Sequence, residues 1–255
     1  MIPKFYHSDR LRLGTLSGQF SSVTNPVRRI ADGSITLSYI ATSGATPTGT
    51  FETRITSGQG SAENPTHFVI ARGTPSVSGY RVIVTSEDLD GTNSATRLDV
   101  TLTSGVTYTV QALSGGVARR VWRVLLSGTG STIPPLRLFE AMLADEYQPA
   151  RQHQVGVRRQ RVRQFTRIEL PGTQAFVKRD GPRLLATSYA LILVSGSEID
   201  GLHTFLDAIE GGEPVFHTDD LGQNYFAEVM GTGPEEEDEA GVYSLDLQVQ
   251  EIGVD

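Results

Sequence analysis

Val242-Tyr243-Ser244-Leu245-Asp246-Leu247-Gln248-Val249-Gln250-Glu251-Ile252 alternates apolar and polar residues almost without interruption. That period of two belongs to a strand with one face on a core and the other in solvent. The last part of the chain is therefore expected to be a structural strand rather than a tail. Working outward, further long strand candidates fall at 165–170, 175–179, 184–194 and 225–230, with Leu185 and the run Leu191-Ile192-Leu193-Val194 making a thick apolar strand. One segment among them has a different period. Ile199, Leu202, Phe205, Leu206 and Ile209 recur at helical spacing, Ser197 stands at an N-cap position and Gly211-Gly212 ends the run, which predicts a helix over 198–210 whose apolar stripe lies on a sheet. Residues 151–255 thus read as an antiparallel β-barrel or sheet domain carrying one α-helix.

The preceding half has a shorter rhythm. Between Ser34 and Val110 the turn clusters Ser43-Gly44, Ser57-Gly58-Gln59-Gly60, Asp90-Gly91 and Ser104-Gly105 separate short alternating segments such as Tyr80-Arg81-Val82-Ile83-Val84 and Leu98-Asp99-Val100-Thr101-Leu102. Strand candidates spaced by roughly 8–12 residues are the mark of sandwiches and jelly rolls, so residues 1–150 read as a jelly-roll-like β-sandwich. Trp122, the single tryptophan, lies in Val121-Trp122-Arg123-Val124-Leu125-Leu126, a central strand in which it should be packed. The stretch 134–149 fits either a helical face or an alternating strand, and the strand is preferred. The change to Arg151-Gln152-His153-Gln154 and Arg158-Arg159-Gln160-Arg161-Val162-Arg163 sets the domain boundary near residue 150. The chain is thus mostly β, in two unlike domains, and no internal repeat suggests a propeller or solenoid.

Composition narrows the function. The 255 residues include no cysteine, which excludes disulfides, thiolate metal sites and thiol nucleophiles. A formal net charge of −7 argues against general affinity for nucleic acid or an anionic membrane. No run of about 18 apolar residues predicts a membrane span, and the first residues lack the apolar core of a signal peptide. A nucleophile elbow, a zinc-protease motif and a phosphate-binding glycine loop are all missing from the sequence. The expectation is a protein without catalysis, cofactor or resident metal.

Four groups of residues come nearest to chemistry. Asp88, Asp90 and Asn93 with Gly91 resemble the start of a calcium loop but lack its distal bidentate glutamate, and an Asx-rich surface turn is the simpler reading. His217-Thr218-Asp219-Asp220 offers an imidazole and two carboxylates, yet no second histidine stands at ligand spacing, so a hairpin turn is expected. His203 falls on the polar side of the helix. The charged groups are more suggestive: Arg158, Arg159, Arg161 and Arg163 contrast with Glu235, Glu236 and Glu237 in the acidic run 235–239. Alternation places Arg159, Arg161 and Arg163 on one strand face. These charges read as solvated faces, as complementary patches that meet head to tail between copies, or as a nucleic-acid groove, the last disfavoured by the lack of interleaved aromatics beyond Phe165.

The order of features resembles a known family. Asn25-Pro26-Val27 and Ala31-Asp32-Gly33 resemble the start, and Arg119-Arg120-Val121-Trp122-Arg123-Val124-Leu125-Leu126 a late strand, of the sandwich found in bacteriophage tail proteins of the distal-tail or baseplate-hub kind. Leu136-Arg137-Leu138-Phe139-Glu140-Ala141-Met142-Leu143 and Tyr147-Gln148-Pro149 resemble its closing strand and exit. Residues 157–164, the helix, Pro214-Val215-Phe216 and the terminal strand resemble the family's ring-forming domain. Val121 stands where an aromatic residue is usual, and Ala141-Met142-Leu143-Ala144 where a glycine is typical. The resemblance implies a structural virion component assembled in the host cytoplasm. It implies a homo-oligomeric ring, hexameric in preference to trimeric, in contact with tail-tube, tape-measure and tail-tip or hub proteins. The alternative is a carbohydrate-binding module for a host-surface glycan, which would use exposed aromatics from among Tyr39, Phe51, Phe68 and Tyr80.

Overall fold

A computed structural model describes residues 1–8, 17–21, 27–28, 35–37, 48–54, 62–72, 80–103, 108–128, 136–149, 157–168, 176–193, 195–210, 214–232, 236–237 and 242–252. The expected turns at 43–44, 57–60 and 104–105, residues 25–26, 31–33 and Tyr39, the basic stretch 151–154, Gly211-Gly212, Glu235, Asp238 and Glu239 lie outside them. The chain is mostly β, with one helix among the described residues. It divides into a unit of Met1–His7 with Tyr147–Asp255 and a unit of Ser8–Glu146. The first seven residues, read from sequence as sandwich, thus belong with the C-terminal half. Their strand β1 (Lys4–His7) pairs there, and Phe5 is fully buried in that unit's core.

The unit Ser8–Glu146 contains β2 (Ser17–Ser21), β3 (Val27–Arg28), β4 (Ile35–Leu37), β5 (Thr48–Arg54), β6 (His67–Arg72), β7 (Tyr80–Glu87), β8 (Ala95–Thr101), β9 (Tyr108–Ala112), β10 (Val121–Gly128) and most of β11 (Leu136–Tyr147). An antiparallel sheet in the order β2-β5-β10-β7-β8 and an antiparallel group β9-β6-β11-β4-β3 make it sandwich-like. β10 is central, as expected, and Trp122 on it is 1% exposed. Within the ambiguous 134–149 stretch, Leu136–Tyr147 form the strand β11. A buried arginine sits beside the tryptophan: Arg97 donates to Ser86 Oγ (2.7 Å) and to the carbonyls of Ser114 and Val117, with its guanidinium 5.8 Å from the Trp122 ring centroid. Gly115, with φ +77°, passes so close that a Cβ there would collide with the Arg97 guanidinium.

The C-terminal unit continues with β12 (Arg158–Ile168), β13 (Phe176–Leu193), α1 (Gly196–Ile209), β14 (Val215–Thr218), β15 (Asn224–Thr232), β16 (Glu236–Glu237) and β17 (Tyr243–Glu251). Its strands run antiparallel in the order β12-β13-β17-β15-β14-β1, an open sheet and not a closed barrel. The alternation of β17 reads directly as burial: Leu245, Leu247 and Val249 are buried, while Asp246 and Gln248 are exposed. They join Tyr189, Leu191 and Leu193 of β13 and Leu202, Phe205 and Ile209 of α1 in one core. Phe205 stacks on Tyr147 at 4.7 Å and lies 5.4 Å from Phe5. The helix begins slightly earlier than its sequence signature suggests, because Ser195 and not Ser197 is the N-cap. Ser195 Oγ accepts from Glu198 N, while Ser197 sits inside the first turn.

β13 is a single strand of 18 residues where the sequence suggests two. Asp180-Gly181-Pro182 reads as a break, yet the ladder passes it by a bulge. Arg163 pairs with Arg183 and Phe165 with Arg179, so that Gln164 alone opposes those three residues. A bulge is where a sheet tolerates proline, which has no N–H to donate.

Candidate functional site

The register brings β12, β13, β17 and β15 together at one level. Arg158 lies opposite Ser188 and Ser188 opposite Gln248, while Gln160 lies opposite Ala186 and Ala186 opposite Gln250. Small residues at 186 and 188 between long ones leave a groove of about 630 Å³, lined among others by Arg158, Gln160, Ser188, Met230, Gln248 and Gln250. Met230 is the extra residue of a bulge between Val229 and Gly231 and is 56% exposed. Gly231 at φ +144° supplies the backbone conformation the bulge requires. The groove is lined in nearly equal parts by polar and apolar groups, with the amides of Gln160, Gln248 and Gln250 among them and, among the described residues, no aromatic side chain.

The neighbouring positions 159 and 161 alternate to the opposite face, that of Thr187 and Leu185. Arg158, Arg159 and Arg161 are all exposed. Arg159 is engaged within its own chain, in an ion pair with Asp220. Partial burial alone would lower its pKa, and the Asp220 carboxylate, with Asp219 and Tyr189 nearby, more than reverses that. Arg163 stands opposite Arg183, a like-charge pair in direct register. β12 runs away from Gln248 toward and beyond the Gln250 end of β17, whereas Glu236 and Glu237 pair with Ser244 and Tyr243 at the other end. Among the described residues, the basic run and Glu236–Glu237 are therefore not brought together within one chain.

Asp220 belongs to the tight connection between β14 and β15, the hairpin turn expected from sequence. Asp219 Oδ1 accepts from Leu221 N (2.9 Å) and Gln223 N (2.8 Å), and Gly222 takes φ +80°. His217 just before it is fully buried, which the motif does not reveal. Its Nδ1 is 3.0 Å from the Lys4 carbonyl, which can only accept, so Nδ1 carries the proton and Nε2 accepts from Tyr189 Oη at 2.7 Å. Phe5 stacks on the imidazole at 4.4 Å. Burial lowers the His217 pKa to about 4, and it pushes the Tyr225 hydroxyl up to about 12. Nδ1 thereby fastens β14 to β1, and Nε2 ties it to Tyr189 of β13.

The Asp88–Asn93 region is the β7–β8 turn. Asp90 Oδ1 accepts from Thr92 N and Thr92 Oγ1, and Asn93 Nδ2 donates to Asp88 Oδ2 at 2.7 Å. Those oxygens serve the turn itself, and no group of three or more His, Cys, Asp or Glu side chains capable of holding a metal ion is found among the described residues. His203 is exposed on the solvent side of α1. Phe68, one of the aromatics needed for sugar stacking, is fully buried; the side chains of Tyr39, Phe51 and Tyr80 lie outside the described ones.

No protein-family model matches this chain, and no curated protein matches it either.

Proposed function

We propose that this chain is a non-catalytic structural subunit of a phage tail, forming a homo-oligomeric ring at the distal tail or baseplate that joins the tail tube to the tip. The observation that carries the reading is the separation of charge within the C-terminal unit: a long basic edge strand at one end of the sheet and acidic residues at the other. Unlike patches that the described strands hold apart inside one subunit suit a heterologous, head-to-tail contact, and such contacts close into rings when the rotation permits. An edge strand 11 residues long is a liability for a monomer and an asset for an assembling subunit. The tail setting, with tail-tube, tape-measure and hub proteins as neighbours, rests on the sequence resemblance.

The test is the mass of the purified chain in solution by light scattering over a concentration series, with electron-microscope images of the same samples. Closed hexamers, or failing those trimers, are expected. A chain that is monomeric throughout, and stays so with a tail-tube protein added, contradicts the proposal. Glycan recognition by the sandwich is the alternative, tested by a glycan-binding screen.

A further inference from the structure

We propose that the groove over β13 binds a short extended segment of a partner polypeptide, one that carries both an acidic and a basic side chain. β13 lies between β12 and β17, so the two flanking strands stand about 10 Å apart. On the face turned away from buried Thr187, Tyr189 and Leu191, β13 contributes Ala186 and Ser188. These small residues make a floor. Longer ones make the walls: Arg158 and Gln160 from β12, and Asp246, Gln248 and Gln250 from β17. Along β17 the register runs from Gln250 opposite Ala186 to Asp246 opposite Ala190, which covers about 13 Å, the length of roughly four residues of extended chain. The whole site belongs to the C-terminal unit of a single copy.

The wall side chains are available to it. Arg158, Gln160, Asp246 and Gln248 are exposed and Gln250 is half-buried, and among the described residues none of these five side chains makes a hydrogen bond or ion pair. A strand between two others spends its N–H and C=O groups on its neighbours, so the floor has little main chain to offer and recognition falls to the walls. A primary amide carries both donor and acceptor, as a peptide group does. Gln248 and Gln250 are two residues apart on one face, about 7 Å, the two-residue repeat of an extended chain laid along them. Arg158 on one wall and Asp246 on the other set the charges of the occupant: an acid on the β12 side and a base on the β17 side, offset by about 7 Å along the groove. At the rim the bulge between Val229 and Gly231 holds Met230, 56% exposed, a flexible thioether that adapts to an apolar side chain of the occupant. The described lining includes no aromatic ring, hence no platform on which a base would stack.

Selection with the full-length protein tests this. Labelled wild type is panned against a bead library of acetylated, amidated hexapeptides randomised at every position, and the enriched peptides are titrated by fluorescence anisotropy. Enriched sequences should carry an acid and a base within a few positions of each other. Arg158→Glu should exchange the acid of the consensus for a base, and Asp246→Lys the base for an acid, each weakening the wild-type peptide by about fivefold. Ser188→Trp, which fills the floor, should abolish binding with the far-UV circular dichroism unchanged. If a charge exchange unfolds the protein, Arg158→Gln and Asp246→Asn take its place and should relax the preference for the corresponding charge. A library that enriches nothing, or a consensus that the charge variants leave unaltered, overturns the site. A glycan panel that is bound while the peptide library is not, with that binding lost in Ser188→Trp, assigns the groove to sugar and overturns the peptide occupant. The site is complete within one copy, so a monomeric wild type that selects the charged consensus upholds it while contradicting the ring.

Discussion

His217 ties a protonation state to the fold. Its folded pKa is near 4 because burial disfavours the imidazolium, against about 6.5 in an unfolded chain. Above pH 6.5 neither state binds the proton and the residue adds no pH dependence. Between 6.5 and 4 the unfolded state takes up a proton that the native state refuses, so stability falls as pH falls, by about 3 kcal/mol in all for a gap of this size. Below pH 4 this contribution levels off. Denaturant unfolding at pH 7.0 and 4.5 should show the loss, and His217→Gln should shrink it; equal slopes in the two proteins would refute the assignment. In the sandwich unit, Arg97 makes three hydrogen bonds beside Trp122. Arg97→Ala should cost about 2–4 kcal/mol by orphaning buried acceptors and removing the cation from the ring. Gly115→Ala should also destabilise, because it combines a positive φ with a collision against the same guanidinium. Thermal melts of the two variants measure both effects.

At the scale of elements, legibility follows the range of the interactions that decide each one. α1 is readable because five apolar residues, a cap and a stop lie within 15 positions. The cap itself stands two residues from where its signature points, since Ser195 and Ser197 are both plausible acceptors and only geometry distinguishes them. Ser195→Ala should cost about 1 kcal/mol, the usual effect of losing an N-cap, whereas Ser197→Ala should fall within about 0.5 kcal/mol, as exposed substitutions do. Reversed magnitudes in urea titrations would return the cap to Ser197. β17 is readable from alternation alone. β13 is not, because Gly181-Pro182 is a local break signal that the pairing with β12 overrides through a bulge. The edge position of β12 is equally hidden, since neighbour order in a sheet is fixed by partners far away in sequence. The basic residues of the candidate site can therefore be named from sequence, but not the in-chain engagement of Arg159 by Asp220.

For the whole molecule, the decisive contact joins residues 213 apart, the Lys4 carbonyl and His217 Nδ1. No local pattern marks it, which is why the first strand reads with the wrong domain. The C-terminal unit thus depends on seven residues that the chain delivers before Ser8–Glu146 begins. Removing residues 2–7 deletes a sheet strand, the fully buried Phe5 and the acceptor that fixes the His217 tautomer. Phe5→Ala alone should cost the C-terminal unit about 3–5 kcal/mol, as buried aromatic truncations do, and the deletion should prevent its cooperative folding. The protein offers a way to watch each unit separately. Its one tryptophan, Trp122, reports on the sandwich unit, whereas Tyr189, Tyr225 and Tyr147 are all packed in the other. In the deletion variant the near-ultraviolet dichroism should lose the share of Tyr147, Tyr189 and Tyr225, keeping that of Tyr39, Tyr80 and Tyr108 in the sandwich unit, and the His217 resonance should lose its buried shift, while the tryptophan unfolding midpoint stays within a few tenths of a molar of urea. If the tyrosine signal survives the deletion, β1 is an accessory strand and the C-terminal unit folds on its own; if the tryptophan midpoint falls with it, the two units unfold as one.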